Sequence, residues 1–280
     1  MSDRLRLAVR AAPIGLVLVL AVAWLLPSPA GLSPAPGDGG SADRVTATLD
    51  ALDESPVVVV GFDPDVGTYP EIRPAVRTLL AELLGRGARL VVVSLTPEGR
   101  ALLLAELGRL DAGATPGAEA AIVDLGFVPG VEAALVSLSR SVSAPGAPAD
   151  LAARLDASGL AIADLIVVVG GNDVGPRTWV EQALPRVGSP PTIALAPTTL
   201  LPELLPYVES GQLDALIATP IDGAAYRAAA DPDAAGIAND RPVDRLALLF
   251  GMLIAIGVIG QAFAARAVPA LRVLRRGERP

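Results

Sequence analysis

The chain of 280 residues has no cysteine and no histidine, and its 22 basic residues are all arginine, so lysine is absent as well. Each absence removes a class of chemistry. Without cysteine there is no disulfide framework. Without cysteine and histidine there is no zinc site of the usual kind. Neither a Ser-His-Asp triad nor a Cys-His pair can be assembled. A Walker phosphate loop needs a lysine and is excluded. Aromatic residues are only 3% of the chain, yet 52% is hydrophobic and 19% charged. That is too apolar for an intrinsically disordered chain.

The apolar residues gather first at the two ends. Residues 11–26 carry no charge and follow Arg4, Arg6 and Arg10. Sixteen residues span about 24 Å as a helix at ~1.5 Å per residue, slightly less than a hydrocarbon core. A spanning helix over 11–27, with Trp24 at the interface, and a cleaved signal peptide ending near Ala30 are both compatible with this pattern. Residues 246–265 form a longer uncharged run, followed by Arg266, Arg272, Arg275 and Arg276. Its length and its lack of a polar face predict a transmembrane helix. Gly251 and Ala255 form a small-xxx-small pair in it, with Gly257, Gly260 and Gln261 nearby. Such a surface suits helix pairing, with a second copy or with another membrane protein.

Charge orients these ends. Residues 28–243 hold 13 Arg against 27 acids, a net of −14, whereas residues 1–10 and 264–280 are net positive. Arginine flanking a span is retained on the cytoplasmic side. The expected organisation is a basic cytoplasmic tail at 1–10, a span at 11–27, a Pro/Gly/Ser-rich linker at 28–43 and an extracytoplasmic domain at 44–230. A second linker at 231–245, a span at 246–265 and an Arg-rich cytoplasmic tail at 266–280 complete it. The expected location is the cytoplasmic membrane. The acidic middle argues against a nucleic-acid partner, which a basic patch would attract.

Within 44–230, short β-branched runs alternate with helical patterns. Strands are expected at 57–62, 89–95, 120–127, 165–169, 192–196 and 213–219. Helices are expected at 70–84, 97–107, 130–140, 150–160, 177–184 and 199–209, with a short one reaching about residue 228. Continuous apolar strands separated by helices imply a mostly parallel sheet covered on both faces. The predicted class is therefore α/β, a three-layer Rossmann-like domain. With strand order 3-2-1-4-5, the first and fourth strands lie side by side, and their carboxyl ends flank the place where such sheets bind ligands.

The candidate site follows from that topology. The loop after the first strand carries Asp63 and Asp65. The second strand ends at Ser94 and Thr96, and the loop after the fourth reads Gly170-Gly171-Asn172-Asp173. These eight residues would line one crevice. Asp63, Asp65 and Asp173 would suit a Mg²⁺ or Ca²⁺ ion, which takes hard oxygen ligands. The plainer reading is that Asp, Asn and Gly make turns and cap helices there. A dinucleotide fingerprint is absent after the first strand, where only Gly61 and Gly67 occur.

Two resemblances attach to these segments. Residues 57–68, an apolar strand followed by Asp63-Pro64-Asp65, resemble the first motif of haloacid dehalogenase-like phosphohydrolases. Ser94 stands where that family has Ser or Thr, and Gly171-Asn172-Asp173 is similar to its last acidic motif. The resemblance implies a nucleophile at Asp63, an acid/base at Asp65 and a Mg²⁺ requirement. The chain departs from the family in lacking the third-motif lysine, for which Arg154 is the candidate substitute, and in lacking a cap insertion. The broader pattern comprises 62–65, Tyr69, Glu71, Pro74, Ser94, Pro97, Glu98, 124–130, 178–182, 206–213 and 222–226. It resembles a group of prokaryotic membrane-anchored proteins without assigned activity. That resemblance implies an anchored α/β domain and no particular reaction. The expected role is a binding or scaffold component of a membrane assembly, with a Mg-dependent hydrolase and a solute-binding domain as the alternatives.

Overall fold

The computed structural model describes residues 40–113, 121–172 and 174–230. The expected spans at 11–27 and 246–265, both tails and most of both linkers lie outside the described residues. Among the described residues no helix is long and apolar enough to cross a membrane.

The described elements follow in order as α1 (Gly40–Asp50), β1 (Val57–Asp63), α2 (Tyr69–Gly85), β2 (Arg89–Ser94), α3 (Pro97–Gly113), β3 (Ile122–Phe127), α4 (Glu132–Leu138), α5 (Ala149–Ser158), β4 (Leu165–Gly170), α6 (Pro176–Thr178), β5 (Thr192–Leu195), α7 (Leu201–Glu209), β6 (Ala215–Ile217) and α8 (Pro220–Ala230). The six strands form one parallel sheet in the order β3-β2-β1-β4-β5-β6. This is the α/β, Rossmann-like arrangement that the alternating pattern predicts. β1 and β4 are neighbours, with Asp63 beside Gly170.

Alternation along the strands divides the core into two layers. Val58, Val60 and Phe62 of β1 pack against α1, α2, α3 and α8 through residues such as Val45, Leu79, Leu103 and Tyr226. Val57 and Val59 face the other way, toward α4, α5 and α7 and the segment that follows β4. Both faces of β1, β2 and β4 are therefore buried, which explains why these strands read as unbroken Val/Leu/Ile runs. Each such side chain taken out of water contributes roughly 1.5–3 kcal/mol before entropy is counted.

Three elements depart from the expectation. A helix begins at Gly40, inside the stretch read as linker, because Ala42, Val45 and Leu49 share a stripe buried against α8 and the sheet. The continuous helix expected at 177–184 is instead a helical turn at Pro176–Thr178, a π-turn at Trp179–Ala183 and a 3-10 turn at Leu184–Arg186. Pro176 and Pro185 deny backbone donors at both ends, and Trp179, Val180 and Ala183 of the wide turn between them are buried. The last strand is shorter than 213–219 and covers Ala215–Ile217.

Candidate functional site

Asp63 ends β1 and is 1% exposed. Its Oδ1 accepts the N–H of Leu95 at 2.7 Å, the N–H of Thr96 at 2.8 Å and the hydroxyl of Thr96 at 3.0 Å. The Thr96 Oγ1 in turn accepts the N–H of Gly99 at 3.0 Å, in the first turn of α3. One carboxylate oxygen thus ties the tip of β1 to the turn between β2 and α3. The other, Oδ2, is buried without a hydrogen bond. Burial pushes the Asp63 carboxyl up to about 6, outweighing the three hydrogen bonds that pull it down.

Asp65 is exposed, and its Oδ1 accepts the N–H of Gly67 at 2.6 Å. Its carbonyl accepts from Thr68 and Tyr69, which opens α2. Ser94 occupies the end of β2, where its hydroxyl is buried and unbonded while its carbonyl receives the Val128 N–H. Asn172 turns inward on its own loop, its Oδ1 accepting the Val174 N–H at 2.9 Å. Asp173 lies outside the described residues.

The glycines explain how the β1 and β4 loops approach each other. A Cβ on Gly171 would stand 2.6 Å from the backbone nitrogen of Asp65 and 2.9 Å from Thr68 Oγ1. A Cβ on Gly170 would stand 2.5 Å from the Cα of Gly175. The Gly171 N–H also points to the Asp63 carbonyl at 3.3 Å. Backbone contact fills the junction of β1 and β4, where the topology alone predicts a crevice.

Of the eight residues expected to converge, Asp63 and Thr96 bond directly, and Gly171 seats on the Asp65 loop. Ser94 lies one strand away, and Asn172 makes a local turn. The metal reading rests on Asp63, Asp65 and Asp173. One oxygen of the first is engaged with the turn before α3, one of the second with Gly67, and the third lies outside the described residues. Among the described residues no group of three or more acids is placed to hold a metal ion.

The fold gives further residues at this end their contacts. The Trp179 indole lies over Gly61, where a Cβ would come within 2.4 Å of it, and its Nε1 is buried without a partner. Glu71 of α2 accepts the N–H of Thr198 at 2.9 Å and also its hydroxyl, joining α2 to the loop after β5. Tyr207 donates to Glu181 at 2.7 Å, and Arg177 reaches the same carboxylate at 3.1 Å. Nothing in the strand pattern marks the Glu71–Thr198 and Tyr207–Glu181 pairs, whose partners are 127 and 26 residues apart, whereas Arg177 and Glu181 stand one helical turn apart. At the opposite end of the sheet, Leu184, Pro185, Pro190 and Gln212 help line a cavity of about 230 Å³. Comparison with protein-family models, with curated proteins and with solved structures finds no match to this chain.

Proposed function

We propose that the chain is a membrane-anchored accessory protein whose α/β domain stands outside the cytoplasmic membrane and binds a partner protein. Residues 11–27 and 246–265 are its anchors, and the arginines beside them keep both tails cytoplasmic. One observation carries the accessory role. The acids of the distinctive segments are engaged with the chain itself. Asp63 holds Leu95 and Thr96, Asp65 holds Gly67, and Glu71 holds Thr198. Asp124 holds Arg100 and Gly126, Glu181 holds Tyr207, and Asp222 holds Thr219. A nucleophile or metal ligand must present a free oxygen to an open site. Here one oxygen of each braces the fold, and the second oxygen of Asp63 is buried rather than open to solvent.

The second reading is a phosphohydrolase-like enzyme, and one observation favours it: Asp63 Oδ2 and the Ser94 hydroxyl are both unbonded at adjacent strand ends. The full chain in detergent, assayed with p-nitrophenyl phosphate and Mg²⁺, separates the two. The accessory reading expects no turnover, from either the native chain or Asp63→Asn. Turnover that disappears in Asp63→Asn would establish the enzyme instead.

A further inference from the structure

Helix α3 carries apolar residues on the side it turns to solvent as well as on the side it buries. Leu103 and Glu106 are buried, and Glu106 holds Arg77 of α2 through hydrogen bonds of 2.7 and 2.8 Å. On the opposite side Glu98, Ala101, Leu104, Ala105, Gly108 and Arg109 are exposed, Leu104 by 51%. At 3.6 residues per turn these six fall within an arc of about 140°, so they share one continuous helix face. A Cβ on Gly108 would meet nothing within 4 Å, so the face is open there. A helix that is apolar all round is ordinarily covered on both sides.

The arrangement of side chains on that face is complementary to itself. Ala101, Ala105 and Gly108 run down its middle, where small side chains let a second helix approach closely. Leu104 stands on one flank at mid-length. Glu98 and Arg109 share the other flank, at opposite ends. Both are exposed, and among the described residues neither forms an ion pair within its own chain. A second copy, turned about a two-fold axis perpendicular to the helix, lies antiparallel and brings like flanks together. Leu104 then meets Leu104 of the second copy. Glu98 of each chain meets Arg109 of the other, within a turn along the axis. Parallel pairing brings opposite flanks together and forms neither contact.

We infer that α3 pairs with α3 of a second copy, antiparallel, through Leu104 and reciprocal Glu98–Arg109 ion pairs. A single helix face is small beside the ~800 Å² per partner of a stable complex. The pairing therefore belongs to copies confined to one membrane, where effective concentration is raised. It goes beyond the accessory role, and its strength rests on the anchoring proposed above.

The chain has no cysteine, so Leu104→Cys gives a single reactive site beside the two-fold axis. The full chain in lipid vesicles is treated with a short bismaleimide and run on a denaturing gel. Leu104→Cys should yield a species of twice the chain mass, far more than Leu205→Cys, a control site 42% exposed on α7. In the Leu104→Cys background, Glu98→Arg or Arg109→Glu alone sets like charges together twice by symmetry. Each should weaken dimerisation about tenfold, read from the protein-to-lipid ratio at half-maximal cross-linking. The two reversals together restore opposite charges across the interface and should recover it. Both residues are exposed, so circular dichroism should show the fold intact in all three variants. Equal yields at positions 104 and 205, yields unmoved by the single reversals, or no recovery in the double reversal overturns the inference. Yields unmoved by the reversals would leave the spans as the source of any dimer. A position 104 that is shielded from maleimide in vesicles but reactive in detergent would make the bilayer surface the occupant, and overturns it too. These results concern α3 alone, whereas Asp63-dependent phosphatase turnover would remove the accessory reading without touching them.

Discussion

At the tip of β1 a carboxyl group is withdrawn from water and faces backbone donors rather than a counter-charge. Its folded value of about 6 lies above the ordinary 3.8. The folded chain therefore keeps a proton that the unfolded chain releases between those values. The stability linked to Asp63 is complete below about pH 4 and declines as pH rises through 6, by about 3 kcal/mol. Asp63→Asn keeps an acceptor for Leu95 and Thr96 while removing the charge. Urea unfolding at pH 4.5 and 7.5 should show this decline in the native chain and a smaller one in Asp63→Asn. Asp63→Ala leaves two buried N–H groups without an acceptor, at about 1–3 kcal/mol each, and should melt lower at both pH values. Gly61 is a second sensitive point. Its Cβ would meet the Trp179 indole at 2.4 Å, so Gly61→Ala should cost about 1–3 kcal/mol by overpacking. Adding Trp179→Phe should recover part of that loss, a coupling that a double-mutant cycle measures.

Elements are fastened to one another by a repeated device at the amino edge of the sheet. Asp164, just before β4, accepts the Val57 N–H of β1 at 2.8 Å, while its own N–H donates to the Val57 carbonyl at 2.9 Å. Asp214, just before β6, does the same for Thr192 of β5, at 2.7 and 2.9 Å. Each acid completes the ladder at a strand start that would otherwise lack a partner. Asp164→Ala and Asp214→Ala should each destabilise by about 1 kcal/mol, and the double variant should be additive because the two sites share no partner. Hydrogen exchange at Val57 and Thr192 reads the loss locally. On the α1–α2–α8 side, Tyr226 donates to Glu82 at 2.6 Å, and Arg86 joins Glu82 to Asp50 and the Leu49 carbonyl. Tyr226→Phe should lower the melting temperature while leaving the sheet intact.

For the whole molecule the decisive physical property is the contrast between apolar ends and an acidic middle. A chain with spans at 11–27 and 246–265 stays with the membrane through an alkaline wash and dissolves only in detergent. Recovery of the full-length protein in the aqueous fraction would refute the anchoring proposal. A cytoplasm-dependent reporter fused after Pro280 should be active, and one inserted in the loop at residue 145 should be silent.

The α/β class, the strand order through the fifth strand and the placement of Asp63, Ser94 and Gly170 at strand ends were legible from residue patterns. Burial on both faces of a strand imposes an unbroken apolar run, and a helix between such runs imposes parallel pairing. Those are local constraints, visible one window at a time. What the convergent side chains do was not legible, because it depends on contacts between distant parts of the chain. The Asp63 oxygen bonds Leu95 and Thr96 rather than facing a crevice, Gly171 lets two loops touch, and Trp179 covers Gly61. The sequence alone determined which residues reach the carboxyl edge. Only tertiary packing decided that the β1–β4 junction is filled and that the exposed apolar residues at that edge include Val66 and Phe127, since close packing is settled by atoms that meet in space.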